Sequence, residues 1–224
     1  CLSCRRSRAC AVFKGIGLSE SDFADELHSL IEIGVGLAGI TNDKIAGQRK
    51  VGPGDIVSLD VGVRVGGFIG DNARTVMVGQ CSEETQKLVE VTREALYDGI
   101  SRALPGNRVA DISAAVQNRV EANGFSVVRE FVGHGVGETV HEEPQIPNFV
   151  SSGNTPELRP GMTLAIEPMV NAGAAKVKFL PDGWTVVARD GRPSAHWEHT
   201  IAVTEGEPEI LTCPGPTPSE SGAE

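Results

Sequence analysis

The sequence predicts an α+β domain in which a β-hairpin is followed by two helices and then by further antiparallel strands. Residues 55–65 alternate apolar with small or polar side chains, which is the period of a half-buried strand. Two segments with apolar residues at spacings of three and four follow it, and short β-type runs occupy much of the chain after Phe125. This order of elements is typical of the α+β class.

Composition is consistent with one domain of ordinary size. The chain has 224 residues, of which 40% are apolar, and this suffices for a packed core without disulfides. The 27 glycines and 13 prolines indicate a loop-rich protein rather than a helical bundle. We expect a folded domain over residues 15–212, with disordered segments at residues 1–14 and 213–224.

Charge and cysteine usage exclude several function classes. Lys and Arg total 20 against 30 Asp and Glu, so the formal net charge of −10 argues against a nucleic-acid partner and against anionic membranes. No apolar run reaches the roughly 18 residues of a spanning helix. Three of the five cysteines lie in the first ten residues, and no second pair completes a zinc knuckle with Cys1 and Cys4. These features predict a cytoplasmic protein.

The elements follow in chain order. Residues 19–35 have apolar residues at helical spacing and predict a helix that ends in the glycine-rich stretch 34–39. The tetrapeptide 65–68, Val-Gly-Gly-Phe, predicts a hairpin turn that leads into a second strand through residues 75–78. One helix is expected from Ser82 to Pro105-Gly106 and another from about Val109 to Ala122. Further strands are expected at residues 127–132, 162–170, 184–189 and 200–203.

Five side chains stand in settings where their charge is costly. Four are acids in predicted β-type segments, and one is a histidine between glycines: Asp60, Asp71, Glu167, Glu198 and His134. Burying a carboxylate costs on the order of several kcal/mol of desolvation free energy unless the group is paired or bound to a metal. Any one of them alone could be a salt-bridged core residue, whereas the set calls for a common partner. One imidazole with four carboxylates suits divalent Co, Mn, Fe or Zn, and carboxylates can bridge two such ions.

Four segments carry a resemblance to a known family. DVGVRVGGFIGDNART (60–75), GHGVGETVHEEPQIPN (133–148), GMTLAIEPMV (161–170) and DGWTVVARDGRPSAHWEHT (182–200) resemble the type I methionine aminopeptidases. The resemblance runs from about Gly52 to Thr212. It implies the pita-bread fold, in which two related halves enclose a dinuclear metal centre, here with a shortened N-terminal half.

The resemblance also implies roles for individual residues. Asp60 would bind one metal ion, Asp71 and Glu198 would bridge two, and His134 and Glu167 would bind the other. Glu167 would also move a proton during catalysis, while His141 and Trp184 would contact the substrate. The implied activity is removal of the N-terminal methionine from peptides or nascent chains by a monomeric enzyme, with ribosome association left open.

One departure bears on activity. Family members carry a segment resembling Asn-Glu-x-x-x-His-Gly shortly before the first metal aspartate, and its histidine interacts with the substrate. The counterpart here is TNDKIAGQRK (41–50), and no histidine lies between His28 and His134. This predicts a metal-binding chain whose peptidase activity is weakened. A gap in the deduced sequence would give the same pattern.

Two other functions remain open at this point. One is a proline-specific pita-bread peptidase, which usually carries an additional N-terminal domain. The other is a pita-bread binding module or inactive paralogue without peptidase activity, in which metal ligands are usually lost. Metal analysis would separate the second alternative from the enzymes.

Overall fold

The computed structural model describes residues 50–183 and 185–212. For residues 30–37 it describes the backbone alone. In chain order the elements are β1 (Leu30–Leu37), β2 (Ile56–Val65), β3 (Phe68–Met77), α1 (Glu83–Ile100), α2 (Val109–Ala122), β4 (Ser126–Val127), β5 (Gly133–Gly135), β6 (Glu142–Ile146), β7 (Thr163–Ile166), β8 (Met169–Asn171), β9 (Val177–Phe179), β10 (Val186–Ala188), β11 (Ser194–His196), β12 (His199–Ala202) and β13 (Glu209–Ile210). The predicted α+β class is therefore confirmed.

The predicted hairpin is formed by β2 and β3. The two strands pair antiparallel from Val65↔Phe68 to Ile56↔Met77, and β1 pairs with the other edge of β2. Gly66 and Gly67 make the turn at φ +59° and +93°, a backbone region that residues with a Cβ rarely adopt. The turn fixes the register that later places two aspartates on one face.

The prediction of a helix over residues 19–35 is wrong for residues 30–35, and residues 19–29 lie outside the described residues. Residues 30–37 form β1, antiparallel to β2 from Leu30↔Val63 to Leu37↔Val57. The sequence here, LIEIGVGL, also alternates apolar with small or charged residues, so both periods were present. Backbone pairing with β2 decides in favour of the strand.

The two long helices agree with their predicted positions. Ser82 caps α1 by accepting a hydrogen bond from the Thr85 N–H, and two acids occupy its first turn. The helix ends at Ile100, before the predicted Pro105-Gly106. α2 has the predicted bounds, Val109–Ala122. Both helices bury an apolar face in the main core, which includes Leu88, Leu96, Ile112, Val116 and Val120.

The second half of the chain is built from two long antiparallel segments that pass between the same two sheets. Residues 163–171 contain β7 and β8, and residues 194–202 contain β11 and β12. β7 and β12 lie side by side in the five-stranded sheet β13-β12-β7-β5-β6, whereas β8 and β11 lie side by side in the sheet β11-β8-β4. Each segment is therefore interrupted where it leaves one sheet for the other.

The predicted strands of this half are corrected accordingly. The run 162–170 is two strands rather than one, and the run 127–132 forms a strand only at Ser126–Val127. The runs 184–189 and 200–203 correspond to β10 and β12. Strands β5, β6, β9, β11 and β13 were not predicted, because runs of two to five residues are too short to show a period.

Among the described residues, neither helix combines the length and the apolar character that crossing a membrane requires. The flanking segments 1–14 and 213–224 lie outside the described residues, so the predicted domain bounds remain a prediction.

Candidate metal centre

Two aspartates project from the hairpin on the same face. Asp60 lies opposite Ala73, and Asp71 lies opposite Gly62, so the two acids are diagonal neighbours across the ladder. Asp71 is 7% exposed, and a Cβ on Gly62 would lie 3.7 Å from its Oδ1. The Asp71 carboxylate therefore lies directly beside Gly62 on this face.

His134 lies at the centre of β5, between two glycines that the packing requires. A Cβ on Gly133 would lie 2.4 Å from the Ala165 carbonyl oxygen, and one on Gly135 would lie 2.3 Å from the Glu143 carbonyl oxygen. Any larger residue would therefore push β5 away from its neighbours β7 and β6. The two glycines let the strand bring His134 close to the acids.

The hydrogen bonding of His134 defines its tautomer. Its Nδ1 lies 2.9 Å from the Gly135 carbonyl oxygen, which can only accept, so Nδ1 carries the proton. In the neutral ring, Nε2 then presents a lone pair. Nε2 lies 3.3 Å from Oε1 of Glu167. Two acceptors that face each other need a proton or a cation between them, and this tautomer is the one that metal-binding histidines adopt.

Glu167 and Glu198 occupy equivalent places in the two interrupted segments. Glu167 lies between β7 and β8, and Glu198 lies between β11 and β12, so the two glutamates meet where the sheets diverge. Asn148 donates a hydrogen bond to the Glu167 carbonyl oxygen at 3.0 Å. The Glu198 N–H donates to the Ala73 carbonyl oxygen at 2.9 Å, which ties β3 to this junction.

The side chains of the predicted residues converge inside the domain. Ligand atoms of Asp71, His134 and Glu198 all lie within 4.8 Å of one another, and Glu167 joins them through its contact with His134. Asp60 is half-buried, and its charge contributes to raising the pKa of Glu198. The structure thus brings all five predicted ligands to one region, with three of them in the tightest group.

Burial and mutual repulsion make this region unfavourable for negative charge. Burial raises the pKa of Glu167 to about 7, and the positive charge that His134 can carry acts in the opposite direction. Burial first, and then the charges of Asp71, Glu167 and Asp60, raise the pKa of Glu198 well above its usual range. Oε1 of Glu198 is buried without a hydrogen-bond partner among the described residues. A divalent cation would relieve all three conditions, so the residues fit a metal site.

A hydrogen-bonded clamp joins β3, which carries Asp71, to β12 and to Glu198 just before it. The Thr200 hydroxyl accepts from the Asp71 N–H at 2.9 Å and donates to the Asp71 carbonyl oxygen at 2.8 Å. In return, the Asn72 amide donates to the Glu198 carbonyl oxygen at 2.6 Å and to Nδ1 of His199 at 2.8 Å. Each acid is thus positioned through its backbone by a residue near the other.

The remaining histidines differ in their relation to the centre. The ring of His141 lies 4.4 Å from that of His134, centroid to centroid, and His141 is exposed to solvent. The side chains of His196 and His199 are buried. Nδ1 of His199 also lies 2.9 Å from the Thr212 hydroxyl and its Nε2 lies 3.3 Å from the Tyr97 hydroxyl, so this ring is turned away from the acids.

Nε2 of His196 lies 3.6 Å from Oε2 of Glu167, and sequence reasoning did not include His196 among the ligands. Both histidines flank the pair Trp197-Glu198, and sequence reasoning treated them alike. Trp184, predicted to contact the substrate, lies outside the described residues.

The chain matches known proteins over most of its length. The model of metallopeptidase family M24 matches residues 10–205. Methionine aminopeptidase from Clostridium perfringens is 55% identical over 166 residues, which cover 74% of this chain and 67% of that protein. Methionine aminopeptidase 1 from Bacillus subtilis is 54% identical over 168 residues, 75% of this chain and 68% of that protein.

Solved structures agree with this relationship. Methionine aminopeptidase from Thermotoga maritima superposes with a TM-score of 0.78 at 46% identity, covering 81% of this chain and 73% of that chain. A prolidase from Pyrococcus horikoshii superposes with a TM-score of 0.66 at 21% identity and shares the pita-bread fold. The chain therefore belongs to metallopeptidase family M24 and, within it, to the methionine aminopeptidases.

Proposed function

We propose that the chain removes the N-terminal methionine from peptides by metal-dependent hydrolysis at the site formed by Asp60, Asp71, His134, Glu167 and Glu198. The observation that carries this proposal is the convergence of Asp71, His134 and Glu198, whose ligand atoms lie within 4.8 Å of one another. The names of its relatives support methionine as the residue removed. The substrate is the free N-terminus of a peptide or nascent chain.

Two ions fit the number of donors. Four carboxylates and one imidazole exceed the four ligands that a single tetrahedral ion takes, and carboxylates bridge readily. Asp60 would hold one ion and His134 and Glu167 the other, with Asp71 and Glu198 shared. The mixed nitrogen and oxygen donors favour Co, Mn, Fe or Zn over Ca or Mg. Bound ions would act as Lewis acids on the scissile carbonyl and on water.

The protein's own groups would move the protons. Glu167, whose carboxylate lies beside the His134 imidazole at 3.3 Å, would accept a proton from the attacking water at one carboxylate oxygen. It would then deliver that proton to the nitrogen of the leaving amine. His141, which is exposed beside the His134 ring, would donate a hydrogen bond to the peptide oxygen as charge develops there.

The segment 41–50 sets an expectation for the rate. Its lack of the substrate-contacting histidine would remove one transition-state contact, and such a loss costs about 100- to 1000-fold in rate. We therefore propose a chain that binds metal normally and hydrolyses slowly. We further propose that the enzyme is a cytoplasmic monomer that acts on nascent chains near the ribosome.

Hydrolysis of a Met-Ala-Ser peptide tests the function. The chain is stripped with chelator and assayed with and without added Co or Mn, beside Asp71→Asn and the surface variant Glu205→Gln. We expect metal-dependent release of methionine, reduced more than about a hundredfold in Asp71→Asn and unchanged in Glu205→Gln. Equal rates in Asp71→Asn and the parent chain would refute the mechanism.

A further inference from the structure

One buried imidazole at the centre has no assigned role. His196 is the last residue of β11 and is 8% exposed, and its Nε2 has no hydrogen-bond partner among the described residues. A buried polar atom without a partner costs free energy, because water has been removed and nothing replaces it. Such an atom indicates a partner outside the polypeptide.

The ring of His196 is directed at the acids of the centre. Its Nε2 lies 3.6 Å from Oε2 of Glu167, which is beyond the usual length of a hydrogen bond. The imidazole of His196 therefore lies beside a carboxylate oxygen of the centre without a hydrogen bond to it.

The two oxygens of Glu167 are flanked by two imidazoles at similar separations. Nε2 of His134 lies 3.3 Å from Oε1, and Nε2 of His196 lies 3.6 Å from Oε2. Two donors that bind one ion at about 2.1 Å in a tetrahedral arrangement lie about 3.4 Å apart. Both separations are close to the distance between two atoms that bind the same ion.

The backbone holds His196 in place independently of the site. Its N–H donates to the Thr75 hydroxyl at 2.8 Å, and that hydroxyl donates to its carbonyl oxygen at 2.8 Å. Antiparallel pairing with Met169 fixes the other side of the strand. The ring is positioned before any ligand arrives, as a ligand on a rigid element should be.

We infer that His196 is a further ligand of the centre, and that its Nε2 binds the ion held by Glu167. This inference rests on the proposed function and adds a second imidazole to a site otherwise dominated by carboxylates. A second nitrogen donor shifts the preference of that ion position further toward Zn, Co or Fe and away from Mg.

The test counts imidazole ligands rather than turnover. Chain loaded with Co is studied by X-ray absorption, and Co affinity is measured by titration, for the parent, His196→Gln and the matched control His199→Gln. We expect one imidazole fewer per chain and at least about tenfold weaker Co binding in His196→Gln. The imidazole count of His199→Gln should equal that of the parent, because its ring nitrogens bond to Asn72, Thr212 and Tyr97.

Different failures point to different errors. A parent chain that binds Co and releases methionine, with an unchanged imidazole count in His196→Gln, overturns this inference alone. A folded parent chain that binds no metal refutes the proposed function as well. Metal-free His196→Gln should unfold at a temperature no lower than the parent, since the replaced nitrogen has no partner to lose. If it does not fold, His196→Met, which lacks a nitrogen donor, takes its place in the same comparison.

Discussion

At the residue scale, Glu167 illustrates how burial prepares a group for metal binding. Its carboxyl is surrounded by protein, so the charged form is disfavoured and the pKa rises to about 7. Without a cation the folded chain must hold a proton there or bear the cost of a buried charge. The same feature that makes the metal-free centre unfavourable thus provides a group that exchanges protons near neutral pH.

The raised pKa of Glu167 predicts a pH-dependent difference in stability. Between pH 4.5 and about 7 the folded, metal-free chain keeps a proton that the unfolded chain has released, so its free energy of unfolding falls as the pH rises. Glu167→Gln cannot ionise and escapes this loss. We expect urea unfolding to show the metal-free variant gaining stability relative to the parent from about pH 4.5 to 7.

Saturating metal provides the control for that measurement. Bound cations require the carboxylate form, so metal should stabilise the parent more than Glu167→Gln, and increasingly so as the pH rises through about 7. A stability difference between the metal-free proteins that stays constant across this range would contradict the role of burial at Glu167.

The acids could be found from sequence, whereas His196 could not. Asp60 and Glu167 each interrupt an apolar run, whereas Asp71 lies on the strand that faces Asp60 and Glu198 begins a β-type run, so all four are visible without a structure. His196 and His199 flank the same Trp-Glu pair. Only the hydrogen bonds of His199 to Tyr97 and Thr212 show which ring is turned away.

At the scale of elements, the position of His134 depends on the close packing of β5. This strand pairs with β6 on one side and β7 on the other, and the glycines on either side of His134 leave no room for a Cβ. Because β5 has only three residues, its sequence shows no strand period. For that reason β5 was not predicted.

Gly135→Ala should be strongly destabilising. Its Cβ would lie 2.3 Å from the Glu143 carbonyl oxygen, a backbone atom that cannot move alone. Gly206→Ala is the matched control, because nothing lies within 4 Å of its added Cβ. We expect thermal unfolding to show a loss of about 1–3 kcal/mol or more for Gly135→Ala and little change for Gly206→Ala. Similar effects in both variants would contradict the packing of β5.

The clamp between β3 and β12 predicts a second stability effect. In the parent chain the Asn72 amide nitrogen lies 2.6 Å from the Glu198 carbonyl oxygen. Asn72→Asp keeps the shape of the side chain but places a second oxygen against that carbonyl oxygen in place of the amide donor. We expect Asn72→Ala to cost about 1–3 kcal/mol, because buried acceptors lose their partner, and Asn72→Asp to cost more. Urea unfolding measures both, and an Asn72→Asp variant as stable as the parent would contradict the clamp.

Elements that show a clear period over ten or more residues were predicted within a few positions. The hairpin and α2 are examples, since alternation or a stripe of apolar residues defines each without tertiary information. β1 was assigned to a helix because its sequence satisfies both periods and only pairing with β2 decides between them. The breaks at Glu167 and Glu198 depend on two sheets diverging, which no local pattern reveals.

At the scale of the whole molecule, the structure describes the proposed metal ligands but not most of the residues proposed to contact the substrate. The acids and His134 are present in a fold shared with methionine aminopeptidases, at a TM-score of 0.78 to the Thermotoga maritima enzyme. The substrate contacts proposed for segment 41–50 and for Trp184 remain a prediction, because residues 41–49 and Trp184 lie outside the described residues.

Replacing segment 41–50 with one that carries Asn-Glu-x-x-x-His-Gly should therefore raise activity without changing metal content. The restored histidine would supply a contact made in the transition state, so kcat/KM for Met-Ala-Ser should increase about a hundredfold or more. The same segment with the histidine replaced by alanine is the control. Equal kcat/KM in the restored chain, the control and the parent would show that this residue does not limit the rate.

Metal content tests the central claim most directly. The parent chain and Asp71→Asn are dialysed to equilibrium against excess Mn or Co near pH 7.5, and bound metal is measured by elemental analysis, with circular dichroism confirming that both are folded. We predict about two ions for each parent chain and a marked loss in Asp71→Asn, because Asp71 would be shared by both ions. A folded parent chain that retains no metal would contradict the account.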